Sequence, residues 1–374
     1  AGQRCSALRC LYLQEDIAEG FLKMLFGAMD ELRVGDPWSF ATDVGPLIDA
    51  QAKADFTDYV AHAARQGRLM KQLDAPGGGH FFGPAVIRVD GIAELEREIF
   101  GPVLHVATFR AEQIDAVVDD VNARGYGLTF GLHTRIDGRV ERVTSRLRVG
   151  NAYVNRNQIG AIVGSQPFGG EGLSGTGPKA GGPAYVPRFA AQERVAHAPA
   201  PGQDAPAADV QARLDRLDVG APLQALQTTD LPGPTGESNR LSVYGRGTVL
   251  CLGPTAEDAA EQVRIARENG CRALAVAPGV AQEAGLDGHL ARADLTALRG
   301  VDVVALWSDA DDMRAAREAL AAREGVIVGL ACGPGDLAAR CRLERHTCID
   351  TTAAGGNAAL LAAESEAHLH AVGA

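Results

Sequence analysis

Residues 1–9 read AGQRCSALR. They set a cysteine between a glycine-bearing turn and an apolar stretch, RCLYLQ, patterned as a short strand. A reactive thiol needs exposure and nearby positive charge or backbone N–H groups, because the thiolate is the nucleophile. Arg4 stands beside Cys5, Gly2 lets the backbone approach closely, and small residues follow. A buried structural thiol is the commoner fate of a cysteine, and residue types alone leave both readings of Cys5 open. Cys10, inside the apolar strand, reads as structural. A chain that opens without Met on so dense a segment is expected to be the C-terminal part of something longer.

Outward from this segment, strands and helices alternate. EDIAEGFLKMLFGAMDELRV (15–34) carries apolar residues at helical spacing, stopped by Gly35, Asp36 and Pro37. QAKADFTDYVAHAARQG is a second helix, and AEQIDAVVDDVNARG a third. HFFGPAVIRV, PVLHVATF and LTFGLHT read as strands. A glycine-rich run over 161–183 reads as a loop that packs close to something. An Ala/Pro-rich stretch over 196–240 reads as a linker. From 241 a second alternation begins, with GTVLCLG, RALAVAPG, VDVVALWS and VIVGLACG as strands separated by helices. This pattern predicts an α/β chain with an open parallel sheet in its second part.

Composition narrows the function. The net charge is −11 and no dense Lys/Arg run occurs, which argues against a nucleic-acid surface. No apolar run is long enough to span a bilayer, and no signal peptide is expected. The seven cysteines are scattered without a CxxC pair, HExxH is absent, and no metal site is expected. A reduced, cytoplasmic setting fits. The string GEGLSG at 170–175 matches GxGxxG formally. A dinucleotide fingerprint must follow a strand and open a helix, and this one lies inside a glycine-rich run with a proline after it. CLGPTAED sits at a proper strand-to-helix turn but has one glycine where the fingerprint needs three. A cysteine acyl transferase would need a histidine near Cys5, and His62, His80, His105 and His133 stay open on that count.

Together these strings resemble the aldehyde dehydrogenase superfamily. GQRCSALR is similar to its nucleophile segment, and EIFGPVLHV follows at the family's spacing. QPFGGEGLSGTGPKAGGPAYV is similar to the branch that oxidises glutamate semialdehyde, the open form of pyrroline-5-carboxylate. GPTGESN and TTAAGGNAAL resemble the C-terminal domain of the long, bifunctional proline-utilization flavoenzymes. The resemblance implies an aldehyde dehydrogenase catalytic domain over 1–195, the linker, and a Rossmann-like, non-catalytic domain over 241–374. It implies Cys5 as the nucleophile and NAD as the hydride acceptor, with Glu98 on the nicotinamide ribose and Phe100 beside it. Ser6, Gly160 and Ala161 would hold the substrate's α-carboxylate, and Phe168 would line its aliphatic part. A role for Arg4 in keeping the thiolate ionised is an inference from its charge. The cofactor domain, the water-activating glutamate, the oxyanion asparagine and an FAD-bearing proline dehydrogenase domain would lie upstream in the same polypeptide. The chain alone is then expected to be nearly inactive. A non-catalytic scaffold or lid, and a monofunctional semialdehyde dehydrogenase, are the competing readings. Oligomerisation would involve NAYVNRN and YVPRFAAQER, and the oligomeric state stays open.

Overall fold

The computed structural model describes residues 2–158, 160–190, 194–217 and 224–352. These form two compact units, the first made of residues 1–126, 136–147 and 157–160, the second of the rest.

In the first unit, β1 (Cys10–Gln14) runs directly into α1 (Glu15–Asp30). Then come α2 (Ala50–Arg65), β2 (Leu69–Gln72), β3 (Ala85–Arg88) and β4 (Val103–Phe109), followed by α3 (Ile114–Ala123) and α4 (Asp137–Arg146). The sheet order is β1-β4-β3-β2, with β1, β4 and β3 parallel and β2 antiparallel at the edge. Successive strand residues face opposite sides, so one strand feeds two cores. Ala85, Ile87, Val103 and Ala107 meet Phe56, Val60 and Ala63 of α2. Val86 and Val106 meet Ala18 and Met29 of α1 on the other face. Asp49 caps α2 by accepting the N–H of Ala52 at 2.7 Å, which satisfies one orphan donor of the first turn. Helix α1 stops four residues short of its apolar pattern, because Val34 leaves the helix to bridge Val44.

Among the described residues, the second unit holds two five-stranded sheets. β5 (Thr129–Leu132), β6 (Asn151–Val154), β7 (Gln227–Leu231), β8 (Glu237–Gly245) and β14 (Arg342–Asp350) lie in the order β5-β6-β14-β8-β7. The last strand therefore pairs in parallel with β6, which carries NAYV. β6 is buried along its whole length between β5 and β14, so the backbone of that segment is already paired within the chain.

The other sheet contains β9 (Thr248–Cys251), β10 (Arg272–Val276), β11 (Gly285–Leu286), β12 (Val303–Ala305) and β13 (Gly329–Ala331). Its order is β11-β10-β9-β12-β13, parallel throughout, which is the doubly wound arrangement expected from the sequence. Helices α6 (Ala256–Glu268), α7 (Ala310–Ala321) and α8 (Pro334–Arg340) connect the strands.

The expected linker over 196–240 is largely built into this unit. Helix α5 (Ala207–Leu214) buries Val210 and Leu214 in the core beside Leu274 and Val276. β7 and β8 form a hairpin from its far end. Composition pointed to a linker because Ala and Pro are common in both linkers and tightly packed straps, and only the second class has a partner surface.

Candidate active site

The segment around Cys5 is held by one arginine. Arg9 lies at the start of β1, its side chain largely buried. Its guanidinium donates to the carbonyls of Gly2 at 2.6 Å and Arg4 at 2.7 Å. A third donor, Nε, reaches Oε1 of Glu98 at 3.1 Å. The same guanidinium carbon lies 4.8 Å from the centre of the Phe100 ring, in cation–π range. One planar fork thus ties the Cys5 segment to the Glu98–Phe100 turn. Cys5 is exposed on this loop, while Ser6 beside it is buried. Arg4, expected to assist the thiol, is exposed.

Glycine makes the approach possible. Gly2 has φ +69°, and a Cβ there would lie 1.9 Å from the carbonyl oxygen of Gly101. A Cβ on Gly101 would strike the Phe56 ring at 2.4 Å. Neither position tolerates a side chain, so the two loops close on each other through bare backbone. A cavity of about 430 Å³ opens beside them, lined by Gln3, Ile48, Asp55, Phe56, Glu98 and Phe100 among others. Gln3 anchors its rim, its Oε1 accepting the N–H of Ile48 at 3.2 Å.

Two of the four histidines left open by the sequence are otherwise engaged. His105 is fully buried, its Nδ1 donating to the carbonyl of Arg9 at 2.9 Å and its Nε2 accepting the Tyr59 hydroxyl at 2.8 Å. Burial lowers its pKa, which keeps the ring neutral and the assignment consistent. His62 pairs with Gln66 at 2.9 Å. Cys10 is structural as expected, its thiol pushed up to about 12 by burial.

Gly160 belongs to the first unit and is exposed, with φ +126°. Gln158, two residues before it, donates to the carbonyl of Ser6 at 3.4 Å, bringing this loop to the Cys5 segment. Ala161 and Phe168 fall in the second unit. There Ala161 is exposed, and Phe168 pairs its backbone with Ala180 in both directions at 2.9 Å.

The glycine-rich run binds protein groups. In GEGLSG, Glu171 forms a two-pronged ion pair with Arg345 of β14, both bonds 2.7 Å. The Ser174 hydroxyl accepts the Gly127 N–H at 3.0 Å, and no helix follows the string. Nearby, Lys179 is buried and donates to Asn151 Oδ1 at 2.9 Å and to the Gly169 carbonyl. Burial brings its pKa down to about 7.

The parallel sheet of the second unit has a crevice of its own. In doubly wound sheets, ligands bind outside the carboxyl ends of the strands where the strand order reverses, here between β9 and β12. Residues 195–205 run across those ends. Val195 donates to the carbonyl of Cys332 past β13 at 3.0 Å, and His197 to that of Trp307 past β12 at 2.8 Å. Gly202 abuts Pro278 past β10, and Ala205 donates to His289 past β11 at 2.9 Å. The helix terminus that would meet a phosphate is also filled. Gln262 accepts the Gly253 N–H at 3.0 Å and donates to its carbonyl at 2.8 Å. Asp258, in the first turn of α6, is buried and paired with His197 at 2.8 Å. A built-in carboxylate at a helix N-terminus occupies the place an anion would take.

The aldehyde dehydrogenase family pattern matches residues 1–195, just over half of the sequence. The chain belongs to that family. Among curated relatives, the bifunctional protein PutA of Salmonella typhimurium is 41% identical over 407 positions, covering 96% of this chain and 31% of PutA. The 1-pyrroline-5-carboxylate dehydrogenase of Geobacillus kaustophilus is 39% identical over 189 positions, covering 50% of this chain and 36% of that enzyme. A crystal structure of a Bradyrhizobium japonicum proline utilization A variant is 50% identical, covers 50% of this chain and 19% of that one, and superposes with TM-score 0.49. The chain therefore spans about a third of the length of its bifunctional relatives. No helix among the described residues is long and apolar enough to cross a membrane.

For an aldehyde dehydrogenase, sequence reasoning missed Arg9, the Glu171–Arg345 pair and the strap over the crevice. Arg9 carries no local signal, since its partners are backbone carbonyls and a carboxylate 89 residues away. Glu171 and Arg345 are separated by 174 residues, so only folding makes them neighbours.

Proposed function

We propose that this chain carries the nucleophile segment of an NAD-dependent L-glutamate γ-semialdehyde dehydrogenase, the second step of proline degradation, within a longer bifunctional polypeptide. The observation that carries the reading is an exposed Cys5 on a loop tied through one arginine to Glu98 and Phe100, which line a cavity. Family membership and the match to PutA and to 1-pyrroline-5-carboxylate dehydrogenase support it.

In this reading the Cys5 thiolate attacks the aldehyde carbonyl, forming a C–S bond and a thiohemiacetal oxyanion. Backbone N–H groups, including that of Cys5, stabilise the oxyanion as charge develops. NAD, when bound, supplies the acceptor for the hydride whose loss leaves a thioester. Glu98 would hold the nicotinamide ribose hydroxyls, and Phe100 would pack beside the same ribose; a carboxylate and an aromatic facing one cavity suit a sugar with an attached ring. Water then cleaves the thioester, freeing glutamate and the thiol. Ser6 and Gly160 would hold the α-carboxylate through hydroxyl and backbone donors.

The parts absent from this chain come from upstream: the cofactor domain, the water-activating glutamate and the oxyanion asparagine, with a proline dehydrogenase domain that alone holds FAD. The setting is cytoplasmic. Residues 241–374 serve as a non-catalytic domain, a role supported by a crevice filled with the chain's own strap, Gln262 and Asp258.

The test uses the intact natural polypeptide, supplied with glutamate semialdehyde and NAD. NADH formation is expected, and Cys5→Ala should lower kcat about a thousandfold or more while leaving any proline dehydrogenase activity intact. NADH formation that survives the substitution would remove Cys5 from the mechanism and the reading with it.

A further inference from the structure

We propose that Arg9 is a positioning residue that makes the cofactor-facing Glu98–Phe100 turn and the nucleophile segment one body. The inference rests on the function proposed above. Arg9 does not line the cavity; it stands behind Glu98 and Phe100, which do. Its three nitrogens donate in three directions, to Gly2 O, Arg4 O and Glu98 Oε1. The guanidinium face is committed as well, to the Phe100 ring.

Arg9 is itself fixed from below. Its carbonyl accepts two hydrogen bonds from the buried His105, from the ring Nδ1 at 2.9 Å and from the backbone N–H at 3.1 Å. His105 is in turn held by the Tyr59 hydroxyl. The chain of contacts runs from the α2–β4 core, through Arg9, to both loops.

This arrangement has a specific consequence. A carboxylate that must accept from sugar hydroxyls needs its orientation set beforehand, because ordering it on binding costs affinity. Arg9 engages one Glu98 oxygen and leaves acceptor capacity on the other. The arginine thus sets the carboxylate's direction without consuming it. The same fork fixes the carbonyls on either side of Gln3, just before Cys5. Cofactor-side and thiol-side geometry are coupled through one planar group, which a lysine, with one charged nitrogen, cannot reproduce.

The test measures the intact polypeptide as wild type, Arg9→Lys, Arg9→Gln, Glu98→Gln and the Arg9→Gln/Glu98→Gln double variant. Steady-state NADH formation gives KM for NAD and kcat, thermal unfolding checks the fold, and iodoacetamide alkylation of Cys5 without cofactor reports the thiol. Arg9→Gln is expected to raise KM for NAD about tenfold and to change the Cys5 alkylation rate. Arg9→Lys should rescue neither. The double variant should bind NAD little worse than Glu98→Gln alone, because Arg9 acts on the cofactor through Glu98.

An unchanged KM for NAD in a folded Arg9→Gln enzyme, full rescue by lysine, or strict additivity in the double variant would each overturn the proposal. These results differ from failure of the underlying function, which would show as no NAD-dependent oxidation by the wild type or no loss in Cys5→Ala.

Discussion

The two units answer the same architectural question in opposite ways. Each has parallel strands flanked by helices. The first presents a cavity rimmed by Glu98, Phe100 and Gln3, with an exposed thiol on the loop beside it. The second has the strand order of a dinucleotide-binding sheet, yet its crevice is crossed by residues 195–205 and its phosphate position is filled by Gln262 and Asp258. In the first unit Glu98, Phe100 and Gln3 line a cavity, and in the second Gln262 and Asp258 bond to the chain's own backbone and to His197. Sheet topology therefore does not make a site.

That comparison can be broken by experiment. The largest effect is expected where the second unit has sealed charge inside itself. Glu171→Gln leaves Arg345 buried against Tyr244 with a neutral partner, and stability should fall by about 3–5 kcal/mol in urea unfolding. A loss under 1 kcal/mol would mean that water, not Glu171, satisfies Arg345.

A smaller, pH-dependent effect is expected at His346 on β14. Burial, then the neighbouring Lys179, lower its pKa to about 4, against 6.5 for a free histidine; Arg156 adds to this, while Glu237 opposes it. The unfolded chain takes up this proton below pH 6.5, while the folded chain resists it until about pH 4. Stability is thus complete above that window and falls as pH drops through it, by about 3 kcal/mol from this group. His346→Leu should flatten that part of the stability–pH curve. An unchanged slope would place the acid sensitivity elsewhere.

The smallest effect is expected at the strap. The His197 side chain is 54% exposed, so removing its bond to Asp258 by His197→Ala should cost less than about 1 kcal/mol. It should also leave the second unit unable to gain thermal stability from added NAD, because Gln262 and Asp258 still fill the helix terminus. Stabilisation of the His197→Ala protein by NAD, mapped to this unit by hydrogen exchange, would show that the strap alone closes the crevice.

The sequence was most legible where local chemistry is self-contained. Period-2 and period-3.6 patterns located β1, α2, β4, α3 and the four main strands of the parallel sheet. GEGLSG leads into no helix. The sequence was least legible where identity depends on a distant partner. Composition made residues 196–240 a linker, although Val210 is fully buried and 195–205 pass four strand ends.

By itself, the sequence determined the α/β class, the family and the segment holding Cys5, because propensity, periodicity and motif spacing act over a few residues at a time. Only the tertiary structure decided that Arg9 joins Cys5's loop to Glu98 and Phe100, that Glu171 belongs to Arg345, and that one nucleotide-type crevice is closed. Those outcomes depend on hydrogen bonds and desolvation between groups tens to hundreds of residues apart. Such a group's energy is set by the partner that folding brings to it, which no local pattern records.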